Sequence, residues 1–515
     1  MSKFSFYHLT DLHYFSKRHF SGDVWATPLP CEQIPCRMTE EAIKKVVSDI
    51  IADINCDTVI VSGDITNNGE PESHEDMCEI LRGLQAGGKK VYAFIASHDA
   101  NDKHELKKMQ EGFTLERCPY AVAHDYYKEF GVSTAIAVYE PNMSYVAQLA
   151  EGVRLLAILP DTIDKHFSSE YKLWLQSVAD DAKKSGNKLF AAVHYPMLTP
   201  SPLYRLIGGD SSFIKNPDQE VDFLSSLGIE LLLSGHTHIH NVAVKKVNDE
   251  QNFYQITTAA LTGYPCLYRK IEWDLDSNSV DIQSLEVGEV VTPVGVKDMA
   301  ETSFNGFIGY IGGIVADLPN DATALTRIGG GMEQKANTLN KFGFLIRGAG
   351  KFINNLTFGK LARFVKKESG LQKEDYKDIA DKKVMPFIMD LIASLYDGKP
   401  KCSEDSLEYR IIMGAVAVID DIIAHLPIDI KKLTKSDSVY SLMAPLLCGS
   451  GFNNYNIHID FKGEIKQSAP PKKLTSKKGA PIILGTIIAI ILLIPIIVPC
   501  TLIIALIMLI QNLIK

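Results

Sequence analysis

An α/β fold is predicted for residues 1–290, and three observations predict it. Short apolar runs recur at residues 4–10, 58–62, 91–95, 188–193 and 230–234. Stretches with helical spacing of apolar residues separate most of them, which is the alternation that builds parallel, two-sided buried sheets. The runs end in polar, chemistry-bearing residues: Asp11-Leu12-His13, Gly63-Asp64, Ala96-Ser97-His98-Asp99, His194, and His236-Thr237-His238. In open α/β sheets, functional groups collect at the carboxyl ends of the strands.

Taken in order, the first run is rich in aromatics, and a helical pattern follows from Thr39, read as an N-cap with Glu40 and Glu41 in the first turn. The second and third runs supply parallel strands with a helix between them. Residues 134–139, 144–149 and 153–159 alternate apolar with polar, which predicts antiparallel strands. A helix over 169–184 leads to the strand before His194, and another over 218–227 leads to the strand before Ser234. Strands near 241–247, 252–258, 267–273 and 279–286 predict a second sheet that closes the core.

Gly235 is expected to let the chain turn sharply off its strand, so that His236 and His238 point out of one short loop. Alone, this pair is read equally well as metal ligands or as hydrogen-bonded loop residues. Together with Asp11, His13, Asp64, His98 and His194 it forms a set of oxygen and imidazole donors with no thiolate. Such donors suit a pair of Mn, Fe or Zn ions better than a structural zinc site. Two such cations about 3.5–4 Å apart clamp a phosphoryl group, so the chemistry implied is hydrolysis of a phosphate ester.

These blocks resemble, in order, the pattern of the calcineurin-like metallophosphoesterase superfamily: Asp-x-His, Gly-Asp, Gly-Asn-His-Asp/Glu, His, then Gly-His-x-His. The resemblance covers residues 1–290 and implies a four-layer α/β/β/α metallophosphoesterase sandwich. It further implies that Asp11, His13 and His238 bind one divalent metal ion, that His194 and His236 bind a second, and that Asp64 bridges the two. His98 corresponds to the catalytic histidine that protonates the leaving oxygen, with Asp99 holding its ring. One position departs from the pattern: the amide that binds the second metal is replaced by Ser97, and the preceding glycine by Ala96. The second ion is then expected to be held through water or by Asn101 or Asp102. His8, His74, His104, His124, His166 and His240 carry no motif and are read as ordinary residues.

The formal net charge of −9 speaks against wholesale nucleic-acid binding. Nine scattered cysteines with no C-x-x-C pair read as reduced thiols. From about residue 296 the pattern turns helical, so a mainly α-helical accessory domain is predicted over 296–450. Residues 335–367 carry eight lysines and arginines and no acidic residue, interleaved with phenylalanines. This stretch is either the solvated face of ordinary helices or an amphipathic surface for anionic lipid.

Residues 462–480 read as a basic linker. Residues 481–511 read as a C-terminal transmembrane helix, because 481–510 hold no charge. Lys462, Lys466, Lys472, Lys473, Lys477 and Lys478 before it, against Lys515 after it, place the catalytic part in the cytoplasm by the positive-inside rule. A hairpin turning at Pro495 and Pro499 is the topological alternative. The sequence thus predicts a single-pass cell-membrane phosphoesterase with a cytoplasmic catalytic domain, acting on a phosphorylated small molecule or a lipid-linked substrate. Its alternative is a catalytically weak, membrane-associated binding scaffold on the same fold.

Overall fold

The first strand, β1 (Lys3–Leu9), is buried on both sides and sits inside a six-stranded sheet, which fixes where its carboxyl end must lie. The computed structural model describes residues 3–463 apart from 21–24, 26–32, 101–115, 161–164, 202–203, 205–211, 250, 329–335, 342, 426–430, 432–435 and 450–452. β1 pairs in parallel with β2 (Thr58–Ser62), which pairs in parallel with β3 (Lys90–Phe94). The helices Thr39–Ala52 and Pro71–Ala86 make the crossovers between these strands.

The strands β4 (Ala137–Tyr139), β5 (Ser144–Ala150) and β6 (Val153–Ile158) are antiparallel, as their alternation predicts. β6, β7 (Lys188–Val193) and β8 (Leu231–Ser234) then run parallel, with the helices Ser169–Lys184 and Pro217–Ser226 between them. The later strands divide between the two sheets. β9 (Asn241–Lys246) and β10 (Asn252–Thr257) join β8, giving the seven-stranded order β4-β5-β6-β7-β8-β10-β9. β11 (Leu267–Asp274) instead pairs antiparallel with β1, and β12 (Ser279–Glu286) antiparallel with β11, extending the first sheet.

The two sheets pack face to face because their strands bury alternate residues on opposite sides. Phe190 and Ala192 of β7 and Leu231 and Leu233 of β8 join the core shared with β1 and β2. Leu189, Ala191, Val193 and Leu232 face the other way, onto Leu175, Val178, Val221 and Leu224 of the two helices. Phe6 stacks on Phe190 with ring centroids 5.2 Å apart across the inter-sheet space. Thr39 is not the N-cap expected of it: it is the first residue of its helix, and its hydroxyl bonds Cys36 O and Phe15 N instead.

The chain divides into two compact units. The sheet unit takes in the hairpin β13 (Glu289–Thr292) and β14 (Gly295–Asp298), and then a late return of the chain as β15 (Ile457–Asp460) on the edge of β12. The other unit is centred on Phe307–Phe452 and is helical. At its middle, helix Leu407–Ile423 is buried almost all round, with Ile411, Ile412, Met413, Val416 and Val418 in the core. The Asp420 carboxylate accepts from the Val439 N–H at 2.7 Å, fixing the start of helix Val439–Cys448. The basic stretch is not one amphipathic helix. Its described part breaks into Ala336–Lys341, Gly343–Asn355, Phe358–Phe364 and Lys366–Ser369, with Phe358 buried and Phe344 and Phe364 exposed.

The expectation of a single-pass membrane protein with a cytoplasmic catalytic domain is corrected. Among the described residues no helix is long and apolar enough to cross a membrane. Leu407–Ile423, with 17 residues, would reach only about 25 Å and carries Glu408, Arg410, Asp420 and Asp421. Residues 481–511, the expected anchor, and most of the 462–480 linker lie outside the described residues.

Candidate metal centre

Five strand ends meet at one place. The loops after β1 and β2 are tied together by the backbone bonds Asp11 N–H to Gly63 O (3.1 Å) and His13 N–H to Asp64 O (3.0 Å). The loops after β7 and β8 are tied by Gly235 N–H to His194 O (3.0 Å). The two sheets are joined across the site by Leu261 N–H to Thr10 O (3.2 Å).

Asp11, His13, Asp64, His236 and His238 all have positive φ, between 45° and 69°. Residues other than glycine hold this conformation only where the surroundings impose it, and such strain gathers at functional sites. The expected sharp turn at Gly235 therefore falls on its neighbours. Gly235 is needed for close approach: a Cβ there would come within 2.1 Å of Thr10 Oγ1 and 2.4 Å of Asp11 Oδ2.

Two donor clusters result, Asp11 with His13 and His238, and Asp64 with His194 and His236. In the first, His13 Nε2 and His238 Nε2 are 3.0 Å apart and lie 3.7 and 3.3 Å from Asp11 Oδ1. In the second, His194 Nε2 is 3.0 Å from Asp64 Oδ2 and also 3.9 Å from Asp11 Oδ1, which links the clusters. The other oxygen of each carboxylate is occupied. Asp11 Oδ2 accepts from Thr10 Oγ1 and His236 N–H, and Asp64 Oδ1 accepts from His98 N–H at 2.8 Å.

His194 donates from Nδ1 to Ser62 O at 2.8 Å, which orients its ring and turns Nε2 to the centre. Metal-ligating histidines are oriented in this way. Asp11 Oδ1 and Nδ1 of His13, His236 and His238 are buried with no hydrogen-bond partner among the described residues. A buried polar atom without a partner is costly. These residues fit divalent cations in donor type and in their orphaned atoms.

The electrostatics point the same way. Burial acts to raise the pKa of Asp11, but His194, His13 and His238 outweigh it and hold the carboxyl well below its usual range. Asp64 is likewise lowered, by His194 and His98 against burial. Burial acts to lower His194, yet Asp64 and Asp11 lift it to about 9. Burial wins at His13, which falls to about 4, and at His236, which falls well below its usual value with His194 adding to the effect. Carboxylates held ionised beside His13 and His236, whose imidazoles burial keeps neutral, suit the uptake of cations.

His98 sits at the rim, its ring edge-on to His13 at 4.7 Å between centroids. Its Nδ1 donates to the Asn67 carbonyl at 2.6 Å. The expected contact from Asp99 to this ring is corrected: the Asp99 carboxylate accepts from Thr66 N–H (2.7 Å), Thr66 Oγ1 (3.0 Å) and Ala96 N–H (2.8 Å). Asp99 thus fastens the β2 and β3 loops to each other, and burial, with Asp64 adding to it, raises it to about 6. Ser97 Oγ lies 3.3 Å from Asp64 Oδ1, while Asn101 and Asp102 lie outside the described residues.

Two residues without a motif also belong here. The Tyr195 ring is buried edge-on against both His194 and His236, at 5.2 and 4.7 Å. The Lys165 ammonium lies 3.9 Å from the centre of that ring. His8, His74 and His240 are buried and hydrogen-bonded within the fold, and none is a member of the two clusters.

Residues 4–240 match the family model for calcineurin-like phosphoesterase. Comparison with curated proteins finds no match. Among solved structures, a dimetal phosphatase from Danio rerio is 11% identical over 57% of this chain and 98% of its own, with a TM-score of 0.38. A purple acid phosphatase from yellow lupin is 9% identical over 58% of this chain and 53% of its own, with a TM-score of 0.37. An NAD nucleotidase from Haemophilus influenzae is 9% identical over 70% of this chain and 62% of its own, with a TM-score of 0.31. Likenesses this distant carry no argument, and the assignment rests on the family match and the motifs. Residues 4–240 thus carry the match to the calcineurin-like phosphoesterases, hydrolases that act on phosphoric esters.

Proposed function

We propose that the chain is a dinuclear metal-dependent phosphoesterase, hydrolysing a phosphodiester or phosphomonoester of a small molecule at the junction of its two sheets. The observation that carries this is the pair of clusters, Asp11/His13/His238 and Asp64/His194/His236, linked through Asp11 Oδ1 and His194. Two divalent cations there, Mn, Fe or Zn, would supply Lewis acidity, acidifying water and offsetting charge on the phosphoryl group. Asp11 Oδ1 and Asp64 Oδ2 are the oxygens left to face that space, because their second oxygens are held by backbone N–H groups.

His98 is the proton donor to the leaving oxygen in this reading. The Asn67 carbonyl fixes a proton on Nδ1, so the imidazolium delivers the one on Nε2. Asp64 Oδ1 holds the backbone N–H of the same residue, so the acid and the ligand move as one piece. The hydroxyl of Ser97, in place of an amide, is the one feature favouring a catalytically weak scaffold.

The two readings separate in one assay with Mn²⁺ and an aryl phosphate monoester and diester. Turnover by the wild type, reduced by about 10²–10⁴-fold in His98→Ala and lost in Asp64→Ala, supports the enzyme. Absence of wild-type turnover on both esters contradicts it.

A further inference from the structure

The six donors and His98 leave unexplained a set of buried hydroxyls and one imidazole packed behind them. Thr10, the residue before Asp11, has a single hydroxyl proton and two acceptors for it, Asp11 Oδ2 at 2.8 Å and the Ser62 carbonyl at 3.2 Å. That carbonyl is the one that accepts from His194 Nδ1. One hydroxyl thus touches a carboxylate of the first cluster and the group that orients a histidine of the second. Ser62 Oγ in turn lies 2.8 Å from His8 Nε2, and His8 Nδ1 lies 2.8 Å from Thr258 Oγ1. Thr258 N–H donates to Ser234 O at 2.9 Å, and two residues further on, His236 N–H donates to Asp11 Oδ2 at 2.9 Å.

The contacts therefore close on themselves at Asp11, having crossed from the first sheet to the second and back. Thr10, Ser62, His8, Thr258 and Ser234 have no exposed surface, so water does not compete for these links. Burial, with the Arg269 charge adding to it, keeps the His8 ring neutral, so that it donates to one hydroxyl and accepts from the other. In a closed, dry ring of hydrogen bonds, ordering one member lowers the cost of ordering the next. We propose that this ring couples the two cation sites, with Thr10 and His8 as positioning residues, so that filling either cluster readies the other. A cation on the first cluster fixes Asp11. Through Thr10 and the His236 N–H, that fixes the Ser62 carbonyl and the last loop, and with them His194 and His236 of the second cluster. Coupling of this kind is reciprocal. The inference rests on the dinuclear reading and adds to it the residues that make the two sites act together.

The test is calorimetric titration of the metal-stripped full chain with Mn²⁺, with the two binding steps resolved. Thr10→Val, which keeps the shape and removes the hydroxyl, is expected to weaken both steps about ten- to a hundredfold, the loss that follows removal of groups orienting metal ligands. Thr10→Ser, which returns the hydroxyl, should restore both. Ser62→Ala opens the ring at its link to His8 while keeping the carbonyl that holds His194, and should also weaken both steps; it serves where Thr10→Val fails to fold. Combined with Thr10→Val it should add little, because the ring is already open. A loss confined to one step, no loss in a folded variant, or losses that multiply in full overturn the proposal alone. A wild type that takes up no metal overturns it together with the reading beneath it.

Discussion

Ser97 and Asp99 show how much a single side chain can change at this site without disturbing the strands around it. An amide carbonyl at position 97 would reach further than a hydroxyl and donate to a cation more strongly; the hydroxyl here is left bonding Asp64 at 3.3 Å. Ser97→Asn should therefore tighten the weaker of the two metal ions about tenfold, which is the order of effect that ligand-supporting groups have. Titration with Mn²⁺ reads this directly, and an unchanged second dissociation constant would mean that the amide is not the missing ligand. Asp99 teaches the converse lesson. Its place beside His98 in the sequence suggests a ring contact, but its carboxylate is spent on the backbone of Thr66 and Ala96. Asn67, which does hold the ring, acts through its carbonyl, a group every residue has, so nothing in the sequence could single it out.

The strands and their loops carry the geometry. Asp11, Asp64 and the two histidines of the last motif reach the centre because each loop holds a left-handed residue immediately after a buried strand. Gly235→Ala should break this at one point: the added methyl would collide with Thr10 and Asp11, displacing the carboxylate of the first cluster. The expected result is loss of the first metal and a stability cost of roughly 1–3 kcal/mol, as for other overpacked sites, measured by urea unfolding. A variant with wild-type metal content would contradict the packing account.

Legibility followed the same physics. Strands such as β7 and β8 were plain in the sequence because both their faces are buried, which leaves unbroken apolar runs, and their ends carried the ligands. β15 was not, since Ile457-His458-Ile459-Asp460 is a four-residue edge strand that only the β12 partner makes a strand. The split of β9–β12 between two sheets is equally tertiary: alternation shows that a strand has two faces, not which neighbour it will pair with. Tyr195 carries no motif, and its ring is set against His194 and His236 only once the loops after β7 and β8 are folded together.

Across the molecule, buried neutral histidines make the fold sensitive to acid. Burial lowers His74 from 6.5 to about 4, partly offset by its bond to the Asp99 carbonyl, and lowers His124 to about 4 as well. Between these values and 6.5 the unfolded chain binds protons that the folded chain does not, so stability falls as pH drops from 6.5 to 4. His74 alone contributes on the order of 3 kcal/mol to this slope. Urea midpoints should decline over that interval and decline less in His74→Gln; a flat profile would contradict the burial argument.

Both sheets contribute to each of the two donor clusters, with His238 in one and His236 in the other. Metal content of the purified chain, by plasma mass spectrometry after loading with Mn²⁺ and desalting, shows whether each cluster holds its own cation. Two equivalents per chain are expected for the wild type and one for each of His238→Ala and His236→Ala. One equivalent or none in the wild type, or two retained in both variants, would contradict it.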